Sequence, residues 1–537
     1  MKKSFVKIGL FLAILLGLFF HLYKINEVPP CLNADEVAFS YNAYSISKTG
    51  RDEYGAFMPL RFKSFEDYKL PLYTYLSVPI IKVFGLNDYT TRALNIIIGV
   101  SFIPLVFFIT KELFKNEKIG LLAAFVTAIN PGVYIMSRHA HEGVVGTFFV
   151  LLFFLFFVKF LKTKKPSEFL LANLFLFLNA FSYQTGRVYL AIFVLLQIGY
   201  LIMQKAKTLR TRLTLIVFLL ILSGAALFAD LKYGVNRVNN LFFYKNIGFQ
   251  LKLNEYIGEH PVRLIHNKLT ETVRDISNRY FTQISPEFLV LNGDSNLRFG
   301  FPNLGLFTPI EFVALMIGFY YLFKNKERFR FLLLFLILVA PLNNALTWQG
   351  ASIIRTYVIL FPLAIVIGYG SYFFYQSLNI GGYRKFVIFA IILAACFYKY
   401  LNWDIYFNHY PKRAVVVRAW QCGYKELADY VKVNYNKYDK FYVTDRQGQP
   451  YIFFLYFLRY DPATYQKQAK ITAPDGYGFG QVEKFDKFEF KFAFDEKLKR
   501  SVFVGYPDQF DPKRTNMSKV KKIKIGTEEM FWIYENN

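Results

Sequence analysis

The sequence predicts an all-α, polytopic membrane bundle of about eleven transmembrane helices with a small C-terminal α/β domain. Of the 537 residues, 54% are hydrophobic and 20% are aromatic. The apolar residues come in blocks of about 17–25, the length needed to cross a bilayer. After Leu401 the composition changes to a mixed pattern rich in Lys and Tyr, which is typical of a water-exposed domain.

Eleven apolar blocks are assigned as spans. Blocks such as Leu213–Ala229 and Phe386–Tyr398 carry almost no charge. The first block follows Met1-Lys2-Lys3 as a signal peptide would, but no small-residue cleavage site follows, so we expect an uncleaved span. The spans are approximately 4–23, 90–110, 119–136, 144–161, 168–183, 187–203, 212–230, 308–323, 330–346, 356–375 and 385–401.

The distribution of charge orients these spans. Lys and Arg crowd into alternate connectors, whereas the other short connectors hold one Arg each: Arg138, Arg187 and Arg355. Because basic connectors remain in the cytoplasm, the N-terminus is predicted inside and the C-terminal domain outside a cell membrane. The same clustering argues against nucleic acid as a partner, despite a net charge of +26. The basic connectors are Lys111–Lys118, Lys159–Lys165, Lys205–Arg212, Lys324–Arg330 and Arg384–Lys385.

Two domains follow from this pattern, a transmembrane domain at 1–401 and an extracytoplasmic α/β domain at 402–537. The transmembrane domain has long outer loops at about 24–89 and 231–307, which are rich in aromatic and aliphatic residues. We expect both loops to hold short helices along the membrane surface. In the tail, strands are predicted at Lys440–Thr444 and Ser501–Gly505 and an amphipathic helix at Gly423–Val433.

The chain has three cysteines. Cys396 lies in an apolar block and is expected to be a small buried hydrophobe. Cys31 and Cys422 share the outer side, so a disulfide is one alternative, but two free thiols are expected because their spacing forces no pair.

The first outer loop carries the strongest functional pattern. Asn33-Ala34-Asp35-Glu36 follows the first span by about a dozen residues and lies among apolar residues. Tyr41–Ile46 and Thr49–Asp52 come next, and a second cluster runs from Asp67 to Tyr73. Adjacent acids in a loop are usually solvated surface charge. The apolar setting and the second cluster favour a site near the membrane surface instead.

These residues resemble the first outer loop of GT-C-type glycosyltransferases, the superfamily of protein O-mannosyltransferases and bacterial aminoarabinose–lipid A transferases. Members carry an early Asp-Glu pair, and many bacterial members continue with a Tyr-Asn-Ala-Tyr-Ser-Ile-like stretch and a Lys-x-Pro-Leu-Tyr-like motif. Here these are Asp35-Glu36, Tyr41–Ile46 and Lys69–Tyr73. The resemblance extends to Ser285–Phe288, Asn292–Arg298, the Arg355 segment, His409–Pro411 and Gly448–Tyr451, with Phe299 where related bacterial sequences often have His.

The resemblance implies inverting transfer of a sugar from a polyprenyl-phosphate donor to a hydroxyl acceptor. Direct displacement needs a base, for which Asp35 is the first candidate and Glu36 the second. The leaving phosphate needs cations, which implies Lys69 first, then Arg355, with Arg298 as a further contributor. The resemblance also implies that Arg92 braces the loop and that Glu142 and Asp294 contact sugar or acceptor, or support the loops.

Other polar residues are interpreted more simply. A contribution to the phosphate site is one alternative for Arg138 and Arg187, but both are expected to be headgroup anchors or snorkelling residues. His139 and His141 share a face only in extended structure, so no metal residue is assigned; no cofactor is certain, and a divalent cation is an open alternative.

The sequence therefore predicts a membrane glycosyltransferase with three kinds of partner: a polyprenyl-phosphate-linked sugar, a hydroxyl-bearing acceptor (protein, lipid or glycan) and membrane lipids. A lipid-linked glycan ligase or polymerase remains an alternative, because it would share the donor and topology. A lipid or polysaccharide transporter is the other alternative. It would need charges or broken helices at the bilayer midplane, whereas the spans here are apolar at their centres.

Overall fold

The computed structural model describes residues 3–64, 67–203, 209–233, 247–259, 262, 264–378, 381–473, 481–513 and 515–537. Parts of the predicted connector at 205–212 and of the predicted outer loop at 231–307 lie outside these ranges.

The helices are listed in chain order. They are α1 (Lys3–Leu22), α2 (Ala34–Thr49), α3 (Pro71–Phe84), α4 (Asp88–Phe114), α5 (Glu117–Ala128), α6 (Pro131–Ser137), α7 (Glu142–Thr163), α8 (Pro166–Ala180), α9 (Thr185–Met203), α10 (Leu209–Tyr233), α11 (Ile247–Glu259), α12 (Lys268–Ile284), α13 (Pro309–Lys324), α14 (Arg330–Val339), α15 (Leu342–Ala345), α16 (Ile353–Thr356), α17 (Leu360–Ser377), α18 (Arg384–Asp404), α19 (Ala414–Ala419), α20 (Tyr424–Asn434), α21 (Pro450–Phe457) and α22 (Pro462–Gln468).

The strands are β1 (Phe62–Ser64), β2 (Asp67–Lys69), β3 (Lys440–Val443), β4 (Lys470–Ile471), β5 (Val482–Phe485), β6 (Phe488–Glu489), β7 (Ser501–Gly505), β8 (Val520–Ile525) and β9 (Glu528–Asn536).

The chain divides into two compact units. The first, here called the bundle unit, comprises Met1–Tyr23, Asn95–Arg138 and Glu142–Tyr406. The second, here called the loop–tail unit, comprises Lys24–Leu94, His139–His141 and Phe407–Asn537. The first outer loop therefore belongs to the same unit as the C-terminal region.

The helices of the bundle unit match the predicted apolar blocks in position, but the count of eleven spans is not confirmed. Six helices among the described residues are long and apolar enough to cross a membrane, or up to seven when α5 and α6, bent by 56° relative to each other, form one span. Proline explains this break, because Pro131 begins α6 and has no N–H to continue α5. Shorter apolar helices occupy Pro166–Ala180, Leu213–Ala226 and Arg330–Ala345.

Glycine allows close helix packing inside the bundle unit. A Cβ atom on Gly370 of α17 would lie 1.9 Å from the carbonyl oxygen of Ala314 in α13, and one on Gly318 would lie 2.2 Å from that of Val366. The two backbones thus touch directly, as small residues permit between membrane helices.

The interpretation of Arg138 as a headgroup anchor is wrong. Its side chain is fully buried in the bundle unit, where Nη1 donates hydrogen bonds to the carbonyls of Phe20 (2.8 Å) and His21 (3.0 Å). These carbonyls belong to the last turn of α1, where backbone acceptors have no partner within the helix. Arg138 therefore caps the end of α1 inside the protein.

The loop–tail unit contains a seven-stranded sheet in the order β4-β5-β6-β3-β7-β9-β8. The strand β3 is parallel to both β6 and β7, and the outer pairs are antiparallel. The helix α20 and the strands β3 and β7 lie where the tail sequence predicts them. The first outer loop contributes α2, α3 and the hairpin β1–β2, so its predicted short helices are present.

Candidate active site

The start of α2 is fixed by its cap, which sets the direction of Asp35. Asn33 Oδ1 accepts the N–H groups of Asp35 (2.9 Å) and Glu36 (3.2 Å), and Glu36 Oε2 accepts the N–H of Asn33 (3.1 Å). This reciprocal capping box satisfies backbone donors that a helix start leaves open. Asp35 thus stands in the first turn, where the helix dipole stabilises a carboxylate.

Asp35 and Lys69, predicted from separate motifs, are brought together. The strand β2 ends at Lys69, whose Nζ donates to Asp35 Oδ1 at 2.7 Å. The Lys69 side chain is 5% exposed, whereas that of Asp35 is 46% exposed. Lys69 Nζ also lies 4.4 Å from the ring centroid of Phe39, one turn after Asp35 on α2. The pair combines a buried cation with a carboxylate that a ligand can reach.

Glu36 lies in a different environment. Its side chain is fully buried, and Oε1 accepts from Arg92 Nε (3.2 Å) and from the N–H of Ala140 (3.0 Å). Arg92 also donates to the carbonyls of Ile25 (2.8 Å) and Cys31 (2.7 Å). The buried ion pair therefore joins the start of α4 to the loop before α2.

The expectation of two free thiols is wrong, because Cys31 and Cys422 form a disulfide with their Cα atoms 5.6 Å apart. The segments are held together beside it, since Gln421 Oε1 accepts the N–H of Ala34 at 3.1 Å. Sequence spacing could not reveal this proximity, because 391 residues separate the two cysteines. The disulfide ties the residues just before α2 to the tail. Cys396 is free and exposed, not buried as predicted.

The disulfide predicts a simple thiol count. Alkylation of the denatured, unreduced protein should label one thiol per chain, Cys396, and reduction before alkylation should raise the count to three. Intact-mass spectrometry gives the count directly. The Cys396→Ser variant is the matched control and should incorporate no label before reduction. Three labels in the unreduced wild-type protein would contradict the disulfide.

Two further acids lie in this loop, of which the sequence motif included Asp52 but not Glu53. Asp52 and Glu53 follow α2, and each is 1% exposed. Asp52 Oδ1 accepts the N–H groups of Tyr54 (3.0 Å) and Ala56 (2.8 Å), so this acid closes the turn. Burial, followed by the Asp52 charge, raises the pKa of Glu53 to about 8, and hydrogen bonds from the side chains of Asn42 and Tyr451 oppose the rise. The motif taken from the sequence ended at Asp52. Glu53 is the next residue of the same polar stretch, so extending the motif by one residue would have included it.

The remaining predicted residues belong to the bundle unit. Asp294 is buried, and its Oδ2 accepts from Ser352 Oγ (2.9 Å) and the N–H of Ile353 (2.7 Å). Burial raises the pKa of Asp294, and these hydrogen bonds oppose the rise. Asp294 thus fixes the start of α16, which carries Arg355. Loop support is the role that this geometry favours for Asp294.

Arg355 is partly buried and donates to the side chains of Asn344 (3.2 Å) and Gln349. Arg298 is partly buried, and Glu142 is the first residue of α7 and 8% exposed. Among the described residues, no three metal-ligating side chains come together. Whether the protein uses a divalent cation stays an open alternative.

Comparison with known proteins gives a family match over part of the chain. Residues 69–228 match the model of the family described as dolichyl-phosphate-mannose-protein mannosyltransferase. This range includes Lys69 and Arg92 but not Asp35. No curated protein sequence matches significantly.

Solved structures match over a longer range. ArnT from Cupriavidus metallidurans, bound to undecaprenyl phosphate, aligns with a TM-score of 0.52 and 12% identity over 99% of this chain and 98% of its own. The archaeal oligosaccharyltransferase AglB from Archaeoglobus fulgidus, in complex with an inhibitory peptide and a dolichol-phosphate, aligns with a TM-score of 0.48 and 15% identity over 81% of this chain. The chain spans 58% of the length of AglB. The chain thus resembles the dolichyl-phosphate-mannose-protein mannosyltransferase family over residues 69–228, and its fold is similar to that of ArnT.

Proposed function

We propose that the protein is an inverting glycosyltransferase that moves a sugar from a polyprenyl-phosphate donor to a hydroxyl acceptor on the outer face of the membrane. The observation that carries the proposal is the contact between Asp35 and Lys69. It brings a base candidate and a phosphate-binding candidate together in one site, so that both could act on one bound donor and acceptor.

Asp35 is the better base of the adjacent pair. An acceptor hydroxyl must reach the base, and Asp35 is half-exposed whereas Glu36 is fully buried. Both Glu36 oxygens already accept hydrogen bonds from Asn33, Arg92 and Ala140. In the proposed reaction Asp35 takes the acceptor proton while the acceptor oxygen attacks the anomeric carbon. The bond from that carbon to the phosphate oxygen breaks with inversion.

Lys69 suits the leaving phosphate. Its ammonium lies in a largely buried position over the Phe39 ring, where an added anion is attracted more strongly than in water. A phosphate that binds Lys69 would compete with Asp35 for the ammonium and leave the carboxylate available to the acceptor. ArnT was solved with undecaprenyl phosphate bound, which supports a polyprenyl phosphate as the ligand class here. Arg355 and Arg298 are proposed as secondary phosphate contacts.

The donor class can be tested with the purified protein in detergent. A set of undecaprenyl-phosphate sugars and the matching nucleotide sugars would be supplied with an extract of cell-envelope acceptors, and sugar transfer measured by mass spectrometry. We expect transfer only from the lipid-linked donors. Transfer from nucleotide sugars alone would overturn the proposal. A ligase or polymerase would instead transfer preassembled glycans to its acceptor. A transporter would transfer no sugar to any acceptor but would transport lipid or polysaccharide across a membrane.

The proposed donor requires the site to face the outside of the membrane. Nucleotide sugars are kept in the cytoplasm, so sugar transfer on the outside uses lipid-linked donors. The basic connectors favour this orientation. The Cys31–Cys422 disulfide supports it, since disulfides persist in oxidising compartments.

Reporter fusions test this orientation. A reporter active only outside the cytoplasm should be active when fused after Asn537 and silent when fused after Lys164. A cytoplasm-specific reporter at the same two positions is the control and should give the reverse pattern. An active external reporter at Lys164 would place Asp35 in the cytoplasm and overturn the assignment.

A further inference from the structure

The loop–tail unit contains a cavity of about 230 Å³ that the proposed reaction does not yet use. Every residue that lines the cavity belongs to this unit. Leu32 and Arg92 in its lining are buried, whereas Lys425 and Glu426 are exposed and mark its mouth. The volume lies below the range of about 300–1,000 Å³ that is typical of sites for drug-sized ligands. The cavity therefore suits a single compact group and not an extended chain.

The walls of the cavity are held in place before any ligand binds. Cys31 and Cys422 both line it, and their disulfide joins the loop before α2 to the tail. Arg92, also in the lining, donates to the carbonyl of Cys31 at 2.7 Å. Gln421 in the opposite segment accepts the N–H of Ala34 at 3.1 Å. Because a preorganised site loses little conformational freedom on binding, these links favour the binding of a small ligand.

The cavity lies beside the start of α2. Leu32 and Gln421 line it, and Gln421 holds the N–H of Ala34, the residue immediately before Asp35. Asp35 does not line the cavity, and its carboxylate is half-exposed. A molecule with one group in the cavity would therefore have its neighbouring group near the proposed base.

The charges around the cavity disfavour an anion. The Arg92 guanidinium is already offset by Glu36, with Nε 3.2 Å from Oε1. The other charged groups of the lining are the carboxylates of Asp88 and Glu426 and the ammonium of Lys425. A phosphate would meet more negative than positive charge here, so the cavity is unsuited to the donor's phosphate group.

The polar groups at the mouth can bind hydroxyl groups. Within the described ranges, the side chains of Lys425 and Glu426 make no hydrogen bond or ion pair. Asp88 accepts from Tyr456 Oη at 3.5 Å, which is too long for a strong hydrogen bond. Carboxylates only accept and an ammonium only donates, whereas a hydroxyl group does both. Phe457 adds an aromatic surface to the lining, which attracts the C–H groups of a ring.

We propose that this cavity binds one neutral sugar residue of the acceptor and presents a neighbouring hydroxyl group to Asp35. The inference rests on the proposed glycosyltransferase function and narrows the acceptor to molecules that already carry a sugar. Asp88, Lys425 and Glu426 bind ring hydroxyls in this arrangement, and Phe457 contacts the ring face. No bond forms or breaks in the cavity itself.

Direct binding is the first test. Methyl glycosides of neutral hexoses are the probes, and saturation-transfer NMR with the full-length protein in detergent is the measurement. At least one glycoside should give a signal. Ile525→Trp should abolish it, because the partly exposed Ile525 of β8 lines the cavity and a larger side chain there fills it. Ile523→Trp, on the same strand but outside the lining, is the matched control and should keep the signal.

A blocked cavity is separated from a misfolded variant by Ile525→Ala. This change leaves the cavity open, so the glycoside signal should remain. Glu426→Ala and Lys425→Ala should each weaken glycoside binding by about 2–10-fold, the usual net effect of one hydrogen bond. Asp429→Ala, an exposed acid of the same helix outside the lining, should bind glycosides as wild type does.

Kinetics then connect the cavity with the acceptor. A glycoside that binds should inhibit transfer from the lipid-linked donor, and added acceptor extract should relieve the inhibition whereas added donor should not. Relief by donor alone would overturn the inference, because the glycoside would then occupy the donor site.

The remaining outcomes separate this inference from the proposed function. Absence of any glycoside signal, or a signal that persists in Ile525→Trp, would overturn the inference and leave transfer from the lipid-linked donor standing. Signals from zwitterionic amino acids but not from glycosides would also overturn it. Glycoside binding without any transfer from lipid-linked donors would overturn the proposed function and, with it, the acceptor role of the cavity.

Discussion

Replacing Asp35 with asparagine is expected to lower sugar transfer by about 10²–10⁴-fold, the usual effect of losing a general base. Asparagine keeps the size of the side chain and an oxygen that can accept from Lys69 Nζ, but it cannot take the acceptor proton. The fold should survive, because Asp35 is half-exposed and the α2 cap depends on Asn33 and Glu36. The measurement is kcat/KM with the lipid-linked donor, together with Tm.

Asp429→Asn is the matched control, since this exposed aspartate of α20 also belongs to the loop–tail unit. It should retain wild-type activity. Full activity in Asp35→Asn would eliminate Asp35 as the base and leave Glu36 to be tested. Glu36→Gln should behave differently from Asp35→Asn, because it leaves Arg92 buried without its ionic partner. Such losses typically cost about 3–5 kcal/mol of stability, so Tm should fall with activity.

Replacing Lys69 with alanine should reduce transfer by about 10²–10³-fold, the typical effect of removing one group that stabilises developing negative charge. The loss should be visible in kcat, because the phosphate becomes more negative as the sugar leaves. Lys69→Arg should be partly active, since the charge remains but a planar fork replaces a point charge. Arg355→Ala should be milder, because Arg355 is the second candidate for the phosphate.

Lys432→Ala is the matched control for loss of a lysine, because Lys432 is exposed on α20. Steady-state kinetics with the lipid-linked donor, followed by a binding assay with undecaprenyl phosphate, would separate a defect in binding from one in turnover. Wild-type kcat and KM in Lys69→Ala would remove this residue from the phosphate site. Comparison of the Asp35→Asn, Lys69→Ala double variant with the two single variants would measure how strongly the two groups act together.

Local motifs predicted Asp35 as the base candidate and Lys69 as the phosphate-binding candidate, but not the contact between them. Asp35 and Lys69 come from motifs 34 residues apart, and the hairpin β1–β2 that brings them together is only three residues long in each strand. Such short strands carry little periodic signal. Glu53 was missed because its burial is a property of tertiary packing.

The helices were also easier to predict than the spans. Apolar blocks located the helices of the bundle unit, because their composition is local information. Whether a block crosses the membrane depends on uninterrupted length, and Pro131 divides one predicted span into α5 and α6. The buried contacts of Arg138 and the Cys31–Cys422 disulfide depend on partners that are distant in sequence but in contact in the structure. A single sequence gave no means to identify them.

The disulfide also constrains when the candidate active site can be completed during protein synthesis. Cys31 emerges early and must wait for Cys422, 391 residues later, and at about 5–20 residues per second this takes roughly 20–80 s. During that time the segment before α2 lacks both its covalent tether and Gln421. Asp35 therefore acquires its final surroundings only after the segment around Cys422 has been synthesised and has reached Cys31.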